Sequence, residues 1–296
     1  MDFKRFDAFI VDLDETVLPL FESLDAYLAT LYRELEEVTP LSRAGLENVF
    51  AKMFREKGLI IPGQQLDGSP EFKALAAPDK PSKKYGQAVG IARVAFNATI
   101  QPIPDVAALF RDLKEKTGKP LIMYSAAPAY HCWHKLRKTR LLDLFDHHYT
   151  APNAPTENES RAKARNIEKH FPRLTVLKVR PKYDPDSYAR ICADFDVDPA
   201  RTASIGNNAV FDLFPAQQLG ATGIRVDWYT DRLAKMDLPA LTGLFPHPNK
   251  PVHRGLKPGA WPFEPDAIFA TPSEMRRHLL ERPPQLRQSG SMIIEP

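Results

Sequence analysis

Two kinds of apolar pattern alternate along this chain. Short apolar runs, which fit strands buried on both faces of a parallel sheet, occur at Phe9-Ile10-Val11 and Pro120 to Tyr124, and the more mixed segments Leu174 to Val179, Thr202 to Ile205 and Ala221 to Val226 are further candidate strands. Phe145 to Thr150 is a more polar member of the same set. Between them apolar residues recur every three or four positions, which is the stripe of an amphipathic helix. Phe21, Leu24, Tyr27, Leu28, Leu31, Tyr32 and Leu35 make one stripe; Leu46, Val49, Phe50, Met53 and Phe54 make a second. Thr39 is the expected N-cap of that second helix, with Pro40 at its first position and Gly58 as its stop. Ile60 to about Lys83 reads as a loop, and Lys84 to Asn97 as a helix weakened by Gly86 and Gly90. Further helices are expected over Val106–Lys116, Ala129–Leu142, Arg161–His170 and Ser187–Phe195, and between the Gly206 turn and Gly220.

This order predicts an α/β chain with an open, mostly parallel, Rossmann-like sheet. A helical segment is inserted after the first strand, far longer than the few residues that most connections take. Residues 1–18 and 100–230 are expected to form the core, completed by a strand and helix at 265–280; residues 19–99 form the helical insert. Residues 231–264 read as an insertion and 281–296 as a disordered tail.

Composition narrows the function. Forty Lys plus Arg against 37 Asp plus Glu, a formal charge of +3, is too balanced to argue for a nucleic-acid partner. The N-terminal residues hold no apolar signal core, and no apolar stretch is long enough to span a bilayer, so a cytoplasmic location is expected. Cys132 and Cys192 make neither a disulfide framework nor a metal-spaced pair. The sequence leaves the oligomeric state open.

The chemistry gathers at strand ends. Asp12 and Asp14 follow the first strand one residue apart, and positions i and i+2 of an extended chain point the same way. Two converging carboxylates call for a cation between them, and hard oxygen donors at such a mouth favour Mg²⁺. Ser125 ends the second strand, where its hydroxyl and the following amides can meet an anion. Lys182 matters only if it faces the acidic mouth, and Lys178 is the alternative. His147 and His148 point to opposite faces if extended and make a poor joint metal site, while His131 and His134 are expected to be solvated or capping rather than metal ligands. Asp12, Asp14, Ser125, Lys182 and Asn207 to Asp212 all fall at the carboxyl edge of the predicted sheet, where ligands bind in such folds.

From Phe9 to about Val226 the chain resembles the haloacid dehalogenase-like hydrolases. Asp12-Leu13-Asp14-Glu15-Thr16 matches the family's first motif, DxDxT, and Ser125 the second. Lys182-Tyr183-Asp184-Pro185 is similar to the third, with Tyr in place of a Pro, and Gly206-Asn207-Asn208 with Asp212 to the fourth, with Asn207 in place of an Asp. The resemblance implies a Mg²⁺-dependent hydrolase that removes phosphate from a small phosphorylated metabolite. Asp12 would be the nucleophile and Asp14 the general acid and base. Lys182 would neutralise Asp12 and the phosphate, while Ser125 and Ala126 would bind phosphate oxygens. Asp12, Asp14, Asp212 and Asn207 would hold the metal, and the helical insert would be a mobile cap. A phosphotransferase or mutase on the same scaffold, and a catalytically weak binding protein, are the alternatives.

Overall fold

The computed structural model describes residues 1–57, 65–102, 104–151, 169–171, 173–177, 182, 184–229 and 264–280. Its centre is a seven-stranded sheet of β1 (Ala8–Val11), β2 (Leu121–Pro128), β3 (His147–Ala151), β4 (Leu174–Val176), β5 (Thr202–Gly206), β6 (Thr222–Val226) and β7 (Ala267–Phe269). The spatial order is β4-β3-β2-β1-β5-β6-β7, and every neighbouring pair is parallel. β1 is thus central, with Ile10 level with Ile122 on one side and Ser204 on the other. The Rossmann-like open sheet expected from the apolar runs is the observed one.

Strand alternation divides the core between two faces. Phe9 and Val11 pack with Leu121, Met123, Phe110 and Ile205 on one face. Ala8 and Ile10 pack with Ile122, Tyr124, Tyr149 and Tyr188 on the other. The helices that cover these faces include α7 (Pro104–Thr117), α8 (Ala129–Thr139), α9 (Pro185–Asp194), α10 (Phe214–Gln217) and α11 (Pro272–Leu280).

Between β1 and α7 stands a helical unit of α1 (Phe21–Val38), α2 (Arg43–Lys57), α3 (Gln65–Gly68), α4 (Pro70–Ala76), α5 (Pro81–Lys84) and α6 (Gly86–Thr99). Its core is its own: Tyr32, Phe50, Phe72 and Tyr85 meet edge to face at ring separations of 5.3, 6.0 and 5.7 Å. Among the described residues, none that is buried in this unit belongs to either core of the sheet.

Several boundaries differ from the sequence reading, each for a local reason. Thr39 ends α1 instead of starting α2: its amide and hydroxyl both donate to the Leu35 carbonyl, at 2.9 and 2.8 Å. The cap of α2 is Ser42, whose hydroxyl accepts from the Gly45 amide at 3.3 Å. The expected loop over 60–83 contains α3, α4 and the start of α5; Ser69 caps α4 by accepting from the Phe72 amide at 3.3 Å, with Pro70 in the first turn. α8 stops at Thr139 because Arg140 turns left-handed at φ 58°, so Leu142 starts a separate 3₁₀ turn. β2 runs on through Ser125 to Pro128, whereas β3 starts only at His147 and β4 ends at Val176. α9 starts early because the Asp184 carboxylate accepts from the Asp186 amide at 3.0 Å. Gly58, Lys178, most of the helix expected at Arg161–His170, residues 231–263 and the tail from 281 lie outside the described residues. Among the described residues no helix is long and apolar enough to cross a membrane.

Candidate active site

The loop after β1 is fixed from several sides. Asp12 continues the sheet register, its amide donating to the Ile205 carbonyl at 2.9 Å. The chain then turns on Glu15, left-handed at φ 59°. The Val17 and Leu18 amides both donate to the Leu13 carbonyl, at 2.9 and 3.0 Å. From the end of β6, the Trp228 indole donates to the Thr16 carbonyl at 3.0 Å. The Thr16 hydroxyl donates to Asp12 Oδ2 and accepts from the Asn207 amide, each at 3.2 Å, tying this loop to the one after β5.

The β5 loop delivers the next acid. Asn208 caps a π-helical turn over Ala209–Leu213, its side-chain oxygen accepting from the Val210 and Phe211 amides at 3.1 and 3.3 Å. That turn folds Asp212 back over Gly206, where Oδ2 accepts from the Asn208 amide at 2.8 Å. A Cβ on Gly206 would fall 2.3 Å from that carboxylate oxygen, so only glycine leaves room for it. The Ser204 hydroxyl and the Tyr188 phenol hold the Asp212 carbonyl at 2.6 and 3.0 Å.

Two buried lysines meet these acids. Lys182 bridges Asp12 Oδ1 and Asp212 Oδ1, the latter at 2.6 Å, with its ammonium 5.4 Å from the Tyr124 ring centre. Lys135, from the second turn of α8, pairs with Asp14 Oδ1. Burial and the Asp212 charge push Asp12 above the ordinary carboxylate range, against the pull of Lys182. Burial alone would lower Lys182, but Asp12 and Asp212 outweigh it and hold the ammonium well above its usual value. Lys135 is raised against its burial by Asp14. Glu15 turns away from the acids to accept from the Leu20 and Phe21 amides at the start of α1, at 2.5 and 2.8 Å. Burial pushes that carboxyl up to about 8.

The other predicted site residues fall around this group. Ser125 is buried on β2 beside β1, its hydroxyl accepting from the Ala127 amide at 3.1 Å, and Ala126 is exposed. Asn207 is half-buried and contributes its amide to Thr16. His131 and His134 are half-buried instead of solvated. His131 packs edge-on against the Tyr130 ring and lies within the electrostatic reach of Lys135 and Asp14, and His134 meets Asn97 Oδ1 at 2.7 Å. His147 meets Thr175 Oγ1 at 2.8 Å, and the His148 ring packs on Phe171. A cavity of about 310 Å³ between α6 and α8, lined by Asn97, Trp133, His134, Arg137 and Lys138, includes none of the acids.

Among the described residues no three His, Cys, Asp or Glu side chains gather as one metal cluster. Mg²⁺ needs only one or two carboxylates and keeps waters for the rest. Asp12 and Asp212 supply two such hard donors, already drawn onto one shared cation, the Lys182 ammonium. The donor set fits the ion. The residue that sequence reasoning missed is Lys135. Its signal was positional: it shares the buried face of α8 with Ala129, Cys132 and Leu136, where a lysine has no packing reason to be.

A family model described as haloacid dehalogenase-like hydrolase matches residues 6–220. Comparison with curated proteins by sequence finds no match. Among solved structures, a HAD phosphatase from Thermococcus onnurineus is similar with a TM-score of 0.53 at 17% identity, over 92% of this chain and 96% of that one. A 2-haloacid dehalogenase from Pseudomonas syringae pv. Tomato gives 0.51 at 15% identity, over 92% and 97%. A haloacid dehalogenase-like family hydrolase from Xanthomonas campestris gives 0.51 at 17% identity, over 75% and 82%. At these identities the likeness is one of fold, common to phosphatases and dehalogenases alike.

Proposed function

The chain belongs to the haloacid dehalogenase-like hydrolase family, and on that premise we propose that it removes phosphate from a small phosphorylated metabolite through an aspartyl-phosphate. The observation that carries this reading is the Lys182 ammonium shared by Asp12 and Asp212, with a second acid, Asp14, in the same loop. A dehalogenase expels halide and needs no proton donor; an alcohol leaving from phosphorus does.

In the first step an Asp12 oxygen attacks phosphorus and the phosphorus–oxygen bond to the alcohol breaks. The departing oxygen keeps the electron pair and takes a proton from Asp14. In the second step Asp14 accepts a proton from water as that water attacks phosphorus, and the bond to Asp12 breaks, releasing phosphate and restoring both acids. Lys182 holds Asp12 in place and offsets charge on the phosphoryl oxygens, while Ser125 and the amide of Ala126 bind them. Asp12, Asp212, the Asp14 carbonyl and Asn207 would hold a Mg²⁺ ion, which supplies further positive charge to the same oxygens. The helical unit acts as a cap that excludes water during transfer.

The test is phosphate release from para-nitrophenyl phosphate, with and without Mg²⁺, for wild type and Asp12→Asn. Turnover that requires both the metal and Asp12 is the expected result. Turnover that survives in Asp12→Asn excludes the covalent route, and a folded protein that neither binds Mg²⁺ nor turns over points to a binding protein.

A further inference from the structure

Lys135 is a cation in a place that packing does not ask for. α8 starts directly after the Ser125–Ala127 segment, at the carboxyl end of β2, and side chains on a helix lean toward its amino terminus. A lysine two turns along therefore reaches back to the sheet edge. Lys135 does so with its side chain only 6% exposed, in line with Cys132 and Leu136, and its ammonium ends on Asp14 Oδ1. Among the described residues it is the one side chain that hydrogen-bonds the Asp14 carboxylate. Asp12, by contrast, is held by both Lys182 and Thr16.

We infer that Lys135 is a positioning residue for Asp14, fixing the carboxylate that serves the leaving oxygen. Burying an ammonium costs free energy that an apolar residue of similar length would not, so the pair is poorly explained as a stability device. Asp14 sits in an irregular loop with its side chain one-fifth exposed, and without a fixed partner a carboxylate there would sample several rotamers. Misplacement by about 1 Å can cost about 10²-fold in rate. The inference rests on the phosphatase reading above, since it assigns Asp14 the proton transfer.

The test uses full-length protein and a series of substituted phenyl phosphates that differ in the acidity of the departing phenol. Nitrophenolate leaves with little help, whereas a methyl-substituted phenol needs the proton. Lys135→Met is expected to slow the methyl-substituted substrate by about 10²-fold, to slow the nitro-substituted one little, and to leave KM unchanged. Lys135→Arg is expected to recover part of the loss. An equal loss on every substrate would mean a purely structural role, and no loss, or a gain on the poor leaving group, would also overturn the inference. Should Lys135→Met fold poorly, Asp14→Asn and Lys135→Arg/Asp14→Asn decide the point: the second change must cost nothing once Asp14 is gone, and additive losses reject the coupling. Asp12→Asn separates the two levels, because turnover persisting there removes the covalent reading itself. A wild type inert on the whole series removes both.

Discussion

β2, β1 and β5 carry a group of ion pairs at each end. At the amino edge Asp7 accepts from Arg201 Nη2 and from Lys119 Nζ, both at 3.0 Å, joining the starts of the three strands. At the carboxyl edge Lys182 joins Asp12 to Asp212, and Lys135 meets Asp14. The chemistry of the partners is the same, but the surroundings are opposite. The Arg201 and Lys119 side chains are 57% and 36% exposed; those of Lys182 and Asp212 are 3%. An exposed group of this kind is screened by water and salt and contributes little to folding. A buried one is costly to assemble and damaging to break. The amino edge therefore uses the less costly arrangement, and the costly one lies at the edge where the proposed chemistry would take place.

The largest effect is expected at Lys182. Lys182→Met leaves Asp12 and Asp212 buried and facing each other, so stability should fall by about 3–5 kcal/mol and turnover by at least about 10³-fold. Urea unfolding and phosphate release measure the two effects. Lys119→Met at the opposite edge should leave turnover untouched; equal damage from both would erase the distinction drawn here.

Gly206→Ala comes next. The new Cβ meets the Asp212 side chain, and relief requires moving the acid off Lys182. A loss of about 1–3 kcal/mol is expected from overpacking, together with a higher Mg²⁺ requirement in titrations of activity.

Glu15 sharpens the comparison through pH. Its folded carboxyl titrates at about 8 against an ordinary 4.5. Between those values the folded state keeps a proton that the unfolded chain has lost, so stability must decline as pH rises across that window. Glu15→Gln should flatten that decline in Tm, and an unchanged slope would place its origin elsewhere.

The smallest effect belongs to Asp7. Arg201 and Lys119 hold its carboxyl below the usual range, so its contribution is present above the ordinary carboxylate pKa and fades as pH falls through the lowered one. Asp7→Asn should lower Tm slightly at neutral pH, less at acid pH and less again in high salt. A loss as large as that of Lys182→Met would contradict the assignment of the two edges.

Much of this was legible in the chain. The parallel sheet followed from apolar runs such as Phe9–Val11, and the edge that gathers Asp12, Asp14, Lys182 and Asp212 followed from strand direction. Hydrophobic periodicity reports such features because buried backbone leaves few ways to arrange them. What it does not report is competition for a hydrogen-bonding group. Thr39 looks the same in sequence whether it opens a helix or closes the previous one, and only the Leu35 carbonyl decided which. Nor does a periodic pattern show which charged residue will be pulled inward. The pattern puts Lys135 on the apolar face of α8, but only α8 laid against β2 brings Asp14 within its reach.

Among the described residues, the helical unit between Leu20 and Ile100 buries its rings among themselves and shares no core residue with the sheet. The two units therefore drift under separate packing rules. A substitution at Phe50 or Phe72 is answered inside the insert, while the spacing of Asp12, Asp14 and Asp212 is set by strands that never touch those rings. If the insert is the proposed cap, new selectivity can accumulate there while the sheet keeps the proposed reaction. Grafting an insert from a relative onto this sheet, joined at residues 20 and 100, is the engineering route that this separation opens.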